Sequence, residues 1–418
     1  MGDFSQNGIV STLHDFKTKS TDEIEKELLE FSKERKMELI LPCLYSELEG
    51  EALPKIVSEI SKTKYLNHII IGLDKANETQ AKDAWKFFKK LKTDFTILWN
   101  DGPKLKKLDE ELKNKNLAPN QPGKGRNVWY CLGMSIARDT ARSVALHDCD
   151  IKTYDRRMLA KLFYPVVNPV FNFEFCKGYY PRIANKKMNG RVARLLVAPL
   201  LIALEKTIGN SGYLQFMKSF KYPLSGEFSF RRNVLPELRI SSDWGIEVGV
   251  LSEMQRNFSP NNICQVDLAD AYDHKHQDLS LNDETKGLSK MSIDIIKTFI
   301  KKLATQGNSF SRETFRSLKA TYYRSALDMI DIYRSDATMN GLKFDSHTEE
   351  EAVELFAINI MKAGDDFYVN PMDTPFIPTW SRVKSAIPDF LNKLKKAVSE
   401  DNKDLSLIHI SEPTRRPI

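Results

Sequence analysis

Four apolar runs constrain this chain more than any other feature: Met37-Glu-Leu-Ile-Leu-Pro42, His68-Ile-Ile-Ile-Gly-Leu-Asp74, Phe95-Thr-Ile-Leu-Trp99 and Ser143-Val-Ala-Leu146. Each is short and nearly continuous, as strands buried on both faces are. Between them lie helical segments, including Leu53 to Ser61, the Ala-, Lys- and Phe-rich Glu78 to Leu91, Glu110 to Lys115 and Asn127 to Arg142. Strands alternating with helices at this spacing imply right-handed βαβ units and a parallel sheet. Neither GxGxxG nor GxxxxGK[ST] occurs, which argues against a standard dehydrogenase or P-loop enzyme.

Ahead of this region Ser20 and Glu23 make a capping box before Ile24, Leu28 and Phe31, so residues 1–36 read as a helical appendage. From Val166 to Ile183 the pattern turns to short aromatic runs, Phe171-Asn-Phe-Glu-Phe175 and Gly178-Tyr-Tyr180, which suggest a mixed or antiparallel extension of the sheet. Helices over Val192 to Lys206 and Trp244 to Gln255 follow, then a last strand, Ile263-Cys-Gln-Val-Asp-Leu268, leading to His274-Lys275-His276. The α/β domain is thus placed at 37–281, with a nucleotide-binding half (37–151) and a second half (152–281). A helical subdomain at 282–404 carries helices at Ile293 to Leu303, Arg312 to Tyr333, Glu349 to Ala363 and Trp380 to Val398. Residues 405–418, ending Thr-Arg-Arg-Pro-Ile, look like a translated sequencing-adapter tail and are expected to be non-native.

The composition, 41% hydrophobic and 28% charged over 418 residues, is that of an ordinary soluble chain. A net charge of +6 is mild, its charges are interspersed and no aromatic-rich RNA-binding signature appears, so no nucleic-acid partner is expected. Five cysteines without CxxC spacing fit free thiols in a reducing cytoplasm. The longest apolar stretch, Leu195 to Leu204, is too short to span a bilayer and contains Pro199, and no secretion signal opens the chain. A cytoplasmic protein without a membrane partner follows.

Chemistry concentrates at His147-Asp148-Cys149-Asp150-Ile151, where the fourth run ends. Period-2 geometry sends Asp148 and Asp150 to one side and Cys149 to the other. Strand C-termini are where open α/β sheets bind ligands, and paired carboxylates suit Mg²⁺ or Mn²⁺, which also take diphosphate oxygens. An acidic turn after a strand is the plainer alternative.

Several further stretches make an ordered set with this pair. They are Pro122-Gly-Lys-Gly125, Gly190-Arg-Val-Ala-Arg-Leu-Leu-Val-Ala-Pro-Leu-Leu201, Tyr222-Pro-Leu-Ser-Gly-Glu227, Trp244-Gly-Ile-Glu-Val-Gly-Val-Leu251, and Gln265-Val-Asp-Leu through His274. With Leu41-Pro-Cys-Leu and Asp74, this set resembles the glucosyl-3-phosphoglycerate synthases, retaining glycosyltransferases of GT-A fold, over about residues 37–280. The resemblance implies a Rossmann-like mixed sheet of the nucleotide-diphospho-sugar transferase type with the helical subdomain behind it. The activity it implies is transfer of glucose from a nucleotide diphosphate sugar, UDP-glucose foremost, to the 2-hydroxyl of 3-phosphoglycerate, on the way to the compatible solute glucosylglycerate. A homodimer is expected.

Carried over residue by residue, the resemblance gives Asp150, His274 and Asp148 as the residues that hold Mg²⁺ or Mn²⁺, with Asp148 also on the donor ribose or sugar. Lys124, between Gly123 and Gly125, contacts the donor; alone it would read as a surface turn lysine. Pro42, Glu47 and Asp74 are the base and ribose contacts, although Glu47 also reads as an exposed acid before a helix. Glu247 lies near the donor sugar, where it could bind hydroxyls or stabilise positive charge at the anomeric carbon. Gly190, Arg191, Val192, Ala193 and His276 form the acceptor site. Arg191 supplies a fork for phosphate or carboxylate at a helix start, where a merely solvated arginine is the bland reading. Ala193 stands where the family commonly has Thr, and His276 where mycobacterial members tend to carry Asn. The rivals are the same fold with free glycerate, another hydroxy acid or a mannosyl donor, and a non-catalytic nucleotide-sugar-binding regulator.

Overall fold

The structure, a computed structural model, describes residues 6, 8–119, 121–274, 287–371 and 376–406. Its first half runs β1 (Ser11–Leu13), α1 (Thr21–Ser32), β2 (Met37–Leu44), α2 (Ala52–Ile60), β3 (Leu66–Asp74), α3 (Glu78–Phe88), β4 (Phe95–Trp99), α4 (Pro103–Lys113), α5 (Lys124–Arg138) and β5 (Ser143–Leu146). The second half continues with α6 (Arg156–Val167), β6 (Phe175–Tyr179), a minimal hairpin of β7 (Ile183–Ala184) and β8 (Lys187–Met188), α7 (Ala198–Ile208), α8 (Gly212–Lys218), β9 (Phe228–Arg231), α9 (Ile246–Asn257) and β10 (Ile263–Asp267). The tail adds α10 (Gly287–Thr305), α11 (Arg312–Met339), α12 (Ser346–Val369), α13 (Trp380–Ala386) and α14 (Phe390–Ser406).

Eight strands form one sheet in the order β1-β10-β6-β9-β5-β2-β3-β4. All neighbours are parallel except β9, which runs antiparallel to both β5 and β6. Both faces are covered, as the continuous apolar runs require. Ile40, Ile70, Leu98 and Val144 join one buried cluster, and Leu39, Leu41, Ile69, Ile71 and Ile97 join the other.

The segment 1–36, expected as a helical appendage, contains the helix but also extends the sheet: Ser11, Thr12 and Leu13 pair with Cys264, Gln265 and Val266. The mixed extension expected within 166–183 is present as β6, which runs parallel to β10 on one side and antiparallel to β9 on the other. The single helix expected from Trp380 to Val398 is two. Pro388 removes an amide donor and biases its predecessor away from helix, and Ile387 is extended at φ −139°, ψ 84°. Leu405, expected to begin the foreign tail, is buried at the end of α14; residues 407–418 lie outside the described residues.

The tail helices cover two sides. Helix α12 packs on α10 and α11, and α11 on α7, while α14 returns over α4, α5 and β4. There Asn402 copies a missing strand: its side chain accepts from the Ile97 amide (2.9 Å) and donates to the Ile97 carbonyl (2.7 Å). That satisfies part of the β4 edge and blocks further pairing. Trp380 stacks on Trp129 at 4.0 Å, and each indole donates to a backbone carbonyl across the contact. Trp380→Ala should cost about 3–5 kcal/mol, the range for deleting a large buried aromatic. Urea unfolding followed by tryptophan fluorescence and circular dichroism will show it as a lowered midpoint.

Candidate active site

Beyond Leu146 the chain keeps one more ladder bond, from the His147 amide to the Ile40 carbonyl (3.2 Å), before it leaves the sheet. His147 is fully buried against Tyr154, and burial pushes its pKa down to about 3. Cys149 is buried too, while Asp148 and Asp150 remain partly accessible, the alternation that period-2 geometry predicts. The two carboxylates then take different partners.

Asp148 meets Lys124 at 2.7 Å, and Lys124 also reaches Glu247 at 3.1 Å. Lys124 opens α5 behind Gly123, which sits at φ 140°, and Glu247 lies in the first turn of α9. Burial alone would lower the Lys124 pKa, but Asp148 and Glu247 together hold it well above the usual lysine range. The close fit continues at Gly226, where a Cβ would come 2.2 Å from the Asp148 carboxylate.

Asp150 faces His274, with Oδ2 3.4 Å from Nδ1. Burial would raise the Asp150 pKa, yet the bond from His274 and the charges of His274 and Lys124 outweigh it and hold the carboxyl below its ordinary value. The second oxygen, Oδ1, is buried without a hydrogen-bond partner. Two ligands on adjacent positions of an octahedral Mg²⁺, each about 2.1 Å from it, stand roughly 3 Å apart. A carboxylate with an unfilled lone pair beside an imidazole therefore fits a hard divalent ion that completes its shell with phosphate and water. Among the described residues no three His, Cys, Asp or Glu side chains gather as a metal set, because Asp148 is turned to Lys124.

Under this cluster lies Glu227, fully buried just before β9. It accepts from Tyr180 (2.5 Å), Tyr272 (2.9 Å) and Ser225 (3.1 Å), and the two tyrosine rings stack 3.6 Å apart. Burial and the nearby Asp148 push its pKa up. Lys177 of β6 is buried alongside, donating to the Ser225 carbonyl, and desolvation brings its pKa down to about 8.

A cleft of ≈ 230 Å³ opens from Lys124, Asp148 and Glu247 past His274 to Gly190, Arg191, Val192 and Ala193. Gly190, at φ 76°, turns the chain into a π-helical segment, Val192–Val197, that leads into α7. The Arg191 Nε donates to Glu349 of α12 (2.9 Å), and Arg194 binds the other Glu349 oxygen (2.8 Å). His276 lies outside the described residues. Pro42 lies near the end of β2, Asp74 ends the adjacent strand β3, and Glu47 lies in the turn Tyr45–Glu49. Asp74 accepts from Asn127 (3.1 Å), and burial raises its pKa to about 6. None of these three lines the cleft.

Sequence reasoning placed no role on Tyr180, Arg182, Tyr272 or Glu349. Tyr180 ends a recognised aromatic run, Arg182 follows it by two residues, and Tyr272 precedes His274, so position was the available signal for three of them. Glu349 carries no such signal, being 158 residues from Arg191.

A mostly parallel sheet with an acid pair at one strand's end, a lysine at a helix start opposite and an arginine-lined cleft beside them defines a GT-A-type glycosyltransferase. A glucosyl-3-phosphoglycerate synthase of Persephonella marina is 44% identical over 404 residues, which is 97% of this chain and 100% of the relative. Another from Methanococcoides burtonii is 38% identical over 406 residues, 96% of this chain and 98% of its own. The chain belongs to the glucosyl-3-phosphoglycerate synthase family. Crystal structures of that enzyme from Mycobacterium tuberculosis superpose at a TM-score of 0.51 with 21% identity, over 72% of this chain and 89% of theirs. A mannosyl-3-phosphoglycerate synthase from Rubrobacter xylanophilus gives 0.52 and 18%, over 71% and 82%; at such identities the likeness speaks for the fold alone. No protein-family model matches the chain. Among the described residues no helix is long and apolar enough to cross a membrane, and all five cysteines are free and buried.

Gly226→Ala should push Asp148 off Lys124 and leave a half-compensated, partly buried cation, at a cost of about 1–3 kcal/mol read as a lowered urea midpoint. Asp74 gives a pH test. A carboxyl whose folded pKa is raised to about 6 stabilises the protein below its unfolded value, and this contribution is lost as pH rises through about 6. Relative to the parent, Asp74→Asn should therefore gain thermal stability on going from pH 4 to pH 8, read by differential scanning calorimetry without ligand.

Proposed function

We propose that this chain transfers glucose, with retention, from UDP-glucose to the 2-hydroxyl of 3-phosphoglycerate. A single Mg²⁺ or Mn²⁺ would be held by Asp150 and His274. The observation that carries the reading is one continuous cleft with the Lys124–Asp148–Glu247 cluster at one end and Arg191 at the other. The related M. tuberculosis enzyme has been crystallised with Mn²⁺, UDP-glucose and phosphoglyceric acid, and with Mg²⁺ and UDP.

In this reading Pro42, Glu47 and Asp74 hold the uridine, and Asp148 and Lys124 the sugar end of the donor. Neutralisation of the departing diphosphate is the chemistry that a divalent ion supplies when bound. Arg191 and the backbone from Gly190 to Ala193 hold the acceptor with its 2-hydroxyl toward the anomeric carbon. The bond from that hydroxyl oxygen forms on the face the phosphate leaves, and the hydroxyl proton passes to the departing phosphate oxygen. Glu247, already engaged by Lys124, fits a stabiliser of sugar hydroxyls and developing positive charge better than a free nucleophile.

Incubation with UDP-glucose, Mg²⁺ and 3-phosphoglycerate should release UDP and give an α-linked product by NMR; no release with any nucleotide glucose sinks the reading. Free glycerate and GDP-mannose, run in parallel, test the acceptor and donor. Asp150→Ala should remove at least about 99% of turnover, as should EDTA, with an unchanged circular dichroism spectrum. Arg191→Ala should lower kcat/KM for the acceptor roughly 30- to 150-fold, the loss of about 2–3 kcal/mol, and leave the donor KM near its parent value.

A further inference from the structure

Three cationic side chains of lysine or arginine line the cleft, and two of them have carboxylate partners. Lys124 has Asp148 and Glu247, and Arg191 has Glu349. Arg182 differs. Among the described residues no carboxylate lies within ion-pair distance of it, and its Nε is buried without a hydrogen-bond partner. Packing holds it instead. One terminal nitrogen donates to the Tyr222 hydroxyl (3.0 Å), the guanidinium lies 5.7 Å from the centre of the Tyr272 ring, and the stem rests on Gly190. A Cβ on Gly190 would come within 3.3 Å of the Arg182 Cγ, so the glycine next to Arg191 is also what admits Arg182 at this distance. A guanidinium that is oriented by aromatic neighbours, stripped of part of its water and left with open donors is a preformed anion contact.

We propose that Arg182 is a second anion-binding residue for the acceptor. The ligand class is a small hydroxy acid with an anionic group at each end, one end taken by Arg191 and the other by Arg182. The inference rests on the assignment of the Arg191 cleft to the acceptor. It accounts for two arginines converging on one cavity while only one of them is neutralised. Tyr222 and Tyr272, through their contacts with Arg182, are positioning residues for it.

The test compares Arg182→Gln, Arg182→Lys and Arg191→Gln in the full chain, with kcat, both KM values and UDP-glucose affinity measured at fixed Mg²⁺. Arg182→Gln should raise the KM for 3-phosphoglycerate about 10- to 100-fold, the range of a lost charge-assisted hydrogen bond, with donor affinity unchanged and kcat within about threefold. Arg182→Lys keeps the charge without the fork, preserves the fold if glutamine does not, and should give an intermediate KM. A parent-like acceptor KM in both Arg182 variants, with Arg191→Gln impaired, overturns the proposal and leaves the functional reading standing. Equal loss of donor and acceptor affinity in Arg182→Lys also overturns it, by making Arg182 structural. If Arg191→Gln leaves the acceptor KM unmoved as well, the acceptor assignment itself falls.

Discussion

The ammonium of Lys124, caught between Asp148 and Glu247, is the interaction on which the site depends. It fastens together three elements that no local sequence relation would join: the start of α5, the exit of β5 and the first turn of α9. A charge withdrawn from water is tolerated when opposite charges and hydrogen bonds replace the solvent. Two carboxylates do this for one ammonium, and the surplus negative charge stays in the cleft. Removing either acid would leave a half-compensated cation.

Topology supplies the rest. Because β9 runs against its neighbours, its beginning meets the ends of β5 and β6, so Ser225, Gly226 and Glu227 arrive directly beneath Asp148. A parallel strand in that place would have delivered its start to the opposite edge of the sheet. The tail helices then act on the site from outside: Glu349 of α12 grips Arg191 and Arg194 together, which couples the helical subdomain to the cleft. On the other flank α14 closes the β4 edge, so the same tail braces both halves of the sheet.

The strands β2 to β5 were legible because burial on both faces leaves an almost uninterrupted apolar run. Strand β1 has three residues and β9 four, too few to show a period. Helix α6 did carry a helical signal in Met158, Leu159, Leu162, Phe163 and Val166, but Pro165 near its end and the aromatic runs after it obscured that signal. In the site, Asp148 and Asp150 stood out by their place at a strand's end, whereas Lys124, Glu247, His274 and Arg191 were marked only by the resemblance to the family; the fold brings them to one cleft and its edge. Period-2 geometry put both aspartates on one side without disclosing that each would choose a different partner, since that choice is made by α5 and by the segment after β10. Glu349 and the stacked Tyr180 and Tyr272 depend wholly on long-range packing, which spacing does not encode.

The cleft is divided by charge, and the division explains how two anions can meet in it. Around Asp148, Asp150, Glu227 and Glu247 acids outnumber the cations Lys124 and Lys177, so an approaching diphosphate would meet net repulsion. A divalent cation at the Asp150–His274 pair would cancel that excess, which is the electrostatic reason a metal belongs in the proposed reaction. At the Arg191 end the balance runs the other way: Arg191 and Arg194 share one carboxylate and Arg182 has none among the described residues, the charge setting that the proposed acceptor with two anionic ends would need. In the proposed reaction each substrate would thus find its own counter-charge, and the acids around Asp148 would repel the acceptor's negative groups. The uncharged hydroxyl between those groups is then the part of the acceptor that could approach the sugar.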